Sequence, residues 1–122
     1  MRWMVMVAAL VASTAAVAQE RQQFDLMCKG KGAEKHYRID LQRGEWCADQ
    51  CPVVATIAEV TSGTLLLKNE KLSQNGNMII ERVNRSTGVW FYAREFPASK
   101  WGKVVSGSCE IAPFSGFPAA KF

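Results

Sequence analysis

The alternation of apolar and polar residues along this 122-residue chain restricts its possible folds more than any other sequence feature. Successive side chains of a β-strand point to opposite faces, so such alternation is typical of strands with one buried face. Phe24, Leu26 and Cys28 share one face of the first such segment. No window shows the stripe of an amphipathic helix, and the sequence therefore predicts an all-β fold.

Similar segments recur along the chain and are separated by glycine-containing or polar turns. The predicted strands cover residues 24–29, 37–42, 45–47, 56–60, 64–68, 78–83, 89–94 and 104–111. An irregular connection is predicted for 48–55, an exposed loop for 69–77, and an extended aromatic tail across the barrel mouth or sheet edge for 113–122. Seven or eight short strands without crossover helices predict a small antiparallel meander, closed as a barrel or folded as a sandwich.

Residues 1–18 have the features of a secretory signal peptide: the basic Arg2, an apolar stretch over 3–12, and the tripeptide Ala-Val-Ala at 16–18. We expect cleavage after residue 18, and the alternative is an uncleaved anchor, for which the apolar stretch is short. Cleavage would leave 122 less 18, or 104, residues, enough for a single β domain over 19–122. The predicted location is periplasmic or secreted.

The four cysteines, Cys28, Cys47, Cys51 and Cys109, allow three disulfide pairings. One tight loop can bring Cys47 and Cys51 within the Cα separation of about 4.4 to 6.8 Å that a disulfide needs. We therefore predict the disulfides Cys47–Cys51 and Cys28–Cys109, the second joining the first strand to the last. Zinc binding is the alternative, but His36 is the only histidine, so the sequence predicts neither a metal nor a cofactor.

The charge of the chain favours neither nucleic acid nor any other particular partner. Of 15 basic residues, loss of Arg2 leaves 14 against 11 acidic ones, a net charge of +3. This mild excess suits an anionic envelope surface, but a solvated basic face is the favoured interpretation. We predict no nucleic-acid binding and no membrane span, and a cell-envelope glycan or a protein as the possible partner. The sequence does not indicate an oligomeric state.

No catalytic motif is present in the sequence. His36 is interpreted as a lone surface histidine, since no nucleophile elbow and no free thiol accompany it. Asp40, Glu45 and Asp49 are interpreted as solvated turn carboxylates rather than as a catalytic cluster. The sequence therefore predicts that the protein is not an enzyme.

The large aromatic residues of the segment 89–94 are the remaining functional signal. Trp90 and Tyr92 share one strand face, opposite Val89 and Phe91. If Trp90 and Tyr92 face outward, they form a platform that stacks on sugars or anchors a protein partner. The alternative is that both faces are covered by the aromatic residues of the tail, Phe114 and Phe117. The candidate binding residues are Thr87, Gly88, Trp90 and Tyr92.

Two resemblances bear on function. The runs Phe-Asp-Leu-Met-Cys at 24–28, Tyr-Arg-Ile-Asp-Leu at 37–41, Trp-Cys at 46–47, Arg-Val-Asn-Arg at 82–85 and Gly-Ser-Cys-Glu at 107–110 resemble a group of small exported bacterial proteins of unknown function. That resemblance implies no activity.

More loosely, an early Phe-x-x-x-Cys strand, a meander and a late cysteine are similar to the periplasmic inhibitors of chicken-type lysozyme. The loop motif of those inhibitors is Ser-Gly-x-x-Tyr, and the nearest match is Thr-Gly-Val-Trp-Phe at 87–91. Taken together, the sequence predicts an exported, non-catalytic cell-envelope protein that acts as a binding or structural module. The alternative is a lysozyme-inhibitor-like protein binder, and a small hydrolase is the least favoured function.

Overall fold

The computed structural model describes residues 22–72, 76–96 and 101–119. The predicted signal peptide, residues 73–75 of the predicted loop and residues 120–122 of the predicted tail lie outside the described residues. Within those three ranges the chain forms nine strands and no helix, which confirms the all-β prediction. The strands are β1 (Gln23–Gly30), β2 (Ala33–Asp40), β3 (Glu45–Ala48), β4 (Ala55–Thr56), β5 (Glu59–Val60), β6 (Thr64–Leu72), β7 (Asn77–Asn84), β8 (Val89–Phe96) and β9 (Trp101–Pro113).

All nine strands belong to one antiparallel sheet with the order β4-β3-β2-β1-β9-β8-β7-β6-β5. The two edge strands, β4 and β5, are consecutive in the chain and are separated only by Ile57 and Ala58. Three Cα–Cα steps span at most about 11 Å, so the edges must lie near one another. The sheet is therefore curled into a partly closed barrel, which agrees with the predicted antiparallel meander.

Two local predictions were wrong. The segment 56–60, predicted as one strand, contains the ends of two short strands, because β4 pairs with β3 whereas β5 pairs with β6. The segment 69–77 was predicted as an exposed loop, but its described residues 69–72 and 77 are strand: β6 continues to Leu72 and β7 begins at Asn77. Cross-strand pairs such as Lys71 with Met78 prolong this hairpin, and polar residues are tolerated there because one sheet face meets solvent.

The main core fills the concave face of the curled sheet. Its buried members come from both halves of the sheet: Leu26, Cys28, Tyr37, Ile39, Trp46, Ile57, Leu65, Leu67, Val83, Trp90, Tyr92 and Val105. Tyr37 of β2 contacts Trp90 of β8, although β1 and β9 lie between these strands in the sheet. Such contacts across the concave face arise only because the sheet is curled.

The described part of the C-terminal tail, 114–119, lies on the outer face of β1 and β2. The Ser115 backbone N–H donates to Asp25 Oδ1 at 3.1 Å, and Arg38 Nη1 donates to the Gly116 carbonyl oxygen at 2.9 Å. Phe114 and Phe117 pack edge to face with ring centroids 5.5 Å apart. The tail thus crosses a convex sheet face, and not the mouth or edge that the sequence suggested.

Both predicted disulfides are present. Cys28 of β1 and Cys109 of β9 are register partners and are bonded, while Cys47 and Cys51 close the loop after β3. The first bond links the two central strands of the sheet. It therefore cross-links two neighbouring strands whose cysteines are 81 residues apart in the chain.

Candidate ligand-binding site

The turn between β7 and β8, residues 84–88, has a conformation fixed by its own side chains. Asn84 Oδ1 accepts hydrogen bonds from the backbone N–H groups of Ser86 and Thr87 at 2.9 and 3.0 Å. The Gly88 N–H donates to the Asn84 carbonyl oxygen at 2.8 Å. Gly88 has φ of 74°, in the left-handed region that favours glycine, which agrees with the glycine-containing turns predicted between the strands.

A second set of bonds joins this turn to the neighbouring loop between β5 and β6. Arg85 Nη1 donates to the Thr61 carbonyl oxygen at 2.7 Å, and the Arg85 N–H donates to the Gly63 carbonyl oxygen at 2.9 Å. The Cys109 N–H donates to the Gly88 carbonyl oxygen at 2.8 Å, which adds an anchor on β9. The turn is thus held from both sides.

A cleft of about 480 Å³ opens between this turn and the concave face, and we call it the mouth cleft. Its floor and walls are mostly apolar and its rim is polar. The lining residues are Phe24, Leu26, Leu65, Val83, Asn84, Arg85, Ser86, Thr87, Gly88, Cys109 and Ile111. A volume of this size and an apolar interior with a few polar groups are usual for small-ligand sites.

On the convex side of the same turn lies a second depression of about 460 Å³, the outer groove. It is lined by Thr64, Arg82, Asn84, Thr87, Val89, Phe91 and Ser106. Asn84 and Thr87 line both cavities, so the turn separates an apolar cleft from a more polar groove. Asn84 and Thr87 therefore lie on the ridge that separates the mouth cleft from the outer groove.

Of the four candidate binding residues, Thr87 and Gly88 border the mouth cleft, whereas Trp90 and Tyr92 lie in the core. Trp90 is 0% exposed and Tyr92 is 9% exposed, so the hypothesis of an outward Trp90/Tyr92 platform is wrong. The Trp90 ring packs against Tyr37 and Tyr92, with centroids 6.3 and 6.2 Å apart. Trp90 and Tyr92 are buried because the curled sheet encloses its concave face, on which both side chains lie.

A buried polar network crosses the concave face next to Trp90. Glu81 Oε1 accepts hydrogen bonds from Tyr37 Oη at 2.8 Å and from Lys35 Nζ at 2.5 Å. Trp90 Nε1 donates to Tyr37 Oη at 3.1 Å. Burial, followed by the Glu81 carboxylate, raises the pKa of Tyr37. Tyr37 is therefore a protonated donor at neutral pH, and the network holds β2 against β7 and β8.

His36 is not a lone surface residue, contrary to the interpretation of the sequence. Its Nε2 lies 2.5 Å from Asp25 Oδ2, and Ser115 Oγ donates to the same oxygen at 2.6 Å. These are the residue types of a serine-hydrolase triad, but here the carboxylate lies between serine and histidine. A triad needs the histidine to accept the serine proton. The cluster instead ties the tail to β1 and β2.

The structure does not gather the three candidate carboxylates. Asp40 and Glu45 are register partners on β2 and β3, whereas Asp49 follows the other end of β3 and accepts a hydrogen bond from the His36 N–H. Asp40 is buried and accepts from the Arg43 N–H at 3.0 Å, so it is not a solvated carboxylate. Across the described ranges, no group of three or more potential ligands is suited to a metal ion.

The comparisons with known proteins leave the two resemblances untested. No family model, curated protein or solved structure matches this chain. In the part of the chain that the structure describes, no helix is both long and apolar enough to cross a membrane. The lysozyme-inhibitor resemblance of residues 87–91 stays a prediction, with Thr87 and Val89 exposed and Trp90 buried.

Sequence reasoning missed most of the mouth cleft. Phe24, Leu65, Val83 and Ile111 come from four strands, and their alternation predicts only that they face inward. Arg82 of the outer groove was noted only as part of the Arg-Val-Asn-Arg run and not as a binding residue. The one useful signal was the Asn84 to Gly88 turn, which lies at the strand ends where these residues converge.

Proposed function

We propose that this protein is an exported, non-catalytic binding protein of the cell envelope, and that an envelope glycan occupies its mouth cleft. The observation that carries the proposal is the combination of an apolar floor with a polar, internally bonded rim. A sugar ring has an apolar C–H face and hydrogen-bonding hydroxyl edges, so it matches such a cleft. The turn predicted from the sequence to bind a partner forms one side of it.

The rigidity of the rim supports a binding role. Asn84, Arg85 and Gly88 use their backbone or side-chain groups to hold the turn in place. A preformed site avoids the ordering cost that a flexible loop would incur when a ligand binds. Ser86 and Thr87 are exposed at the rim; Thr87 Oγ1 accepts a hydrogen bond from the Val89 N–H at 3.2 Å, and its O–H can still donate to a ligand.

The export of the protein is supported by the two disulfides, which form and persist in oxidising compartments. The signal-peptide features of residues 1–18 favour the same location. The absence of a catalytic role is supported by the order of the Asp25 cluster, in which His36 and Ser115 share one carboxylate oxygen. The raised pKa of Tyr37 likewise opposes a role as a base.

The proposal is tested by Ile111→Asn, with Val104→Asn as the matched control. Both residues are exposed aliphatic side chains of β9, at 64% and 60%, but only Ile111 lines the mouth cleft. We expect Ile111→Asn to weaken retention on insoluble cell-wall glycan by about fivefold or more, because it removes an apolar contact. Val104→Asn should bind the glycan as the parent does. The free energies of unfolding of both variants should lie within about 0.5 kcal/mol of that of the parent.

The same pull-down separates the alternatives when lysozyme is used as a second bait. Retention on glycan that depends on Ile111 supports the proposal. Retention on lysozyme alone would replace it with the inhibitor-like function. If the parent is retained by neither bait, or if Ile111→Asn binds glycan unchanged, the proposal is wrong.

A further inference from the structure

The outer groove contains an arginine whose hydrogen-bonding groups are not used within the described structure. Arg82 and Phe91 are register partners on β7 and β8, and the Arg82 Cζ atom lies 4.5 Å from the Phe91 ring centroid. This stacking orients the guanidinium group. Among the described residues Arg82 makes no ion pair and no hydrogen bond, so its N–H groups are free for a ligand.

Neutral hydrogen-bonding groups surround this guanidinium. The side chains of Thr64, Asn84, Thr87 and Ser106 line the same groove. The Asn84 Oδ1 atom accepts two hydrogen bonds within the turn, which leaves the Nδ2 group as a donor for a ligand. Val89, 48% exposed, and Phe91 add apolar surface. The groove thus combines one cation, several hydroxyl and amide groups, and a small apolar area.

This combination selects a ligand with one anionic group and several hydroxyl groups. An arginine fork pairs with a carboxylate through two parallel hydrogen bonds. Among the described residues, Arg82 is the only charged one that lines the groove, which suits a single carboxylate at this position better than a run of phosphates. Hydroxyl and amide side chains match the hydroxyl groups of a sugar, and Val89 with Phe91 matches its C–H face.

We propose that the outer groove binds a carboxylated sugar, with the carboxylate on Arg82 and the ring against Val89 and Phe91. The inference rests on the proposed function, because Asn84 and Thr87 border both cavities and one glycan would cross the ridge between them. The mouth cleft takes an adjoining sugar residue of the glycan, and the outer groove recognises a carboxylate on the residue bound there.

Titration calorimetry of the oxidised protein with tetragalacturonate, chitotetraose and inorganic tripolyphosphate tests this assignment. The variants are Arg82→Gln and the control Lys71→Gln, which removes the same charge from an exposed position farther along the same sheet face. We expect Arg82→Gln to weaken tetragalacturonate binding by about tenfold or more, since a charge-assisted hydrogen bond is lost. Binding of chitotetraose should change by less than about twofold, and Lys71→Gln should bind all three probes as the parent does.

Several outcomes would overturn the inference. Equal affinity of the parent for tetragalacturonate and chitotetraose would leave the proposed function standing but remove the acidic subsite. Tripolyphosphate binding as tight as that of tetragalacturonate would make the groove a general anion site. If Arg82→Gln and Lys71→Gln lost equal affinity for tetragalacturonate, the attraction would come from the positive charge of the protein in general and not from the groove. Binding of none of the probes would contradict both proposals.

Discussion

At the scale of single residues, Glu81 is the clearest example of a buried charge made tolerable by its neighbours. The residue is 2% exposed and accepts hydrogen bonds from Lys35 and Tyr37. A buried ion pair contributes little net stability, but removing one partner leaves an uncompensated charge. The network thus joins Lys35 and Tyr37 of β2 to Glu81 of β7 across the concave face.

The raised pKa of Tyr37 predicts a loss of stability in alkaline solution. Burial and Glu81 raise this pKa in the folded state, so above about pH 10 only the unfolded chain releases the proton. The unfolded state then binds fewer protons, and the free energy of unfolding falls by about 1.4 kcal/mol per pH unit. Urea unfolding of the parent at increasing pH measures the fall.

Tyr37→Phe should show a shallower fall over the same pH range, because the titrating hydroxyl is gone. The lysines are unchanged in this variant, so the difference between the two slopes isolates Tyr37. Tyr92→Phe is the control: burial also raises the pKa of Tyr92, but Arg94 opposes this shift, so its effect should be smaller. Parallel slopes for the parent and Tyr37→Phe would contradict the prediction.

At the scale of elements, the pairing of β1 with β9 depends on two glycines. Gly30 and Gly107 are register partners at the end of this pair. A Cβ atom on Gly107 would collide with the Lys29 carbonyl oxygen, and one on Gly30 would lie 2.5 Å from Val105 Cγ1. The two backbones approach closely at this point, next to the Cys28–Cys109 disulfide.

Gly107→Ala should therefore destabilise the protein by about 1 to 3 kcal/mol, because the backbone of β1 cannot move without breaking its pairing. Gly102→Ala is the matched control on the same strand, since its nearest neighbour, the Arg94 carbonyl oxygen, would be at 3.4 Å. The free energy of unfolding of Gly102→Ala should stay within about 0.5 kcal/mol of that of the parent. Chemical denaturation measures the stability of both variants. Equal losses of stability would show that the close approach of β1 and β9 at Gly107 is unimportant.

At the scale of the whole molecule, the two disulfides differ in what they connect. Cys28–Cys109 joins segments 81 residues apart, whereas Cys47–Cys51 joins segments 4 residues apart. A disulfide that closes a longer loop restricts the unfolded chain more strongly. The long bridge also holds the central strands of the sheet together.

Replacing Cys28 and Cys109 by alanine should lower the free energy of unfolding by about 4 to 5 kcal/mol, on the loop-entropy estimate. The double variant Cys47→Ala with Cys51→Ala is the comparison and should lose about 2 kcal/mol. Urea denaturation of both double variants gives the two values. A larger loss from the short bridge would show that local structure, rather than chain closure, dominates.

Local patterns were enough to predict most strands, the disulfide pairing and the Gly88 turn. Alternation depends only on neighbouring residues, and the spacing of Cys47 and Cys51 restricts their pairing by geometry alone. The short strands β4 and β5 and the strand ends near Leu72 and Asn77 were not predicted, because cross-strand pairing decided them.

The sequence by itself determined the inward and outward rows of each strand, but only the tertiary structure decided which row faces the core. Alternation is symmetric between the two faces, so Trp90 and Phe91 were equally plausible inward residues until the sheet curled. The mouth cleft, the Glu81 network and the Asp25 cluster join residues far apart in the chain, such as His36 and Ser115. The cleft and the Glu81 network follow from the curvature of the sheet, and the Asp25 cluster follows from the path of the tail across its outer face. No local pattern encodes either.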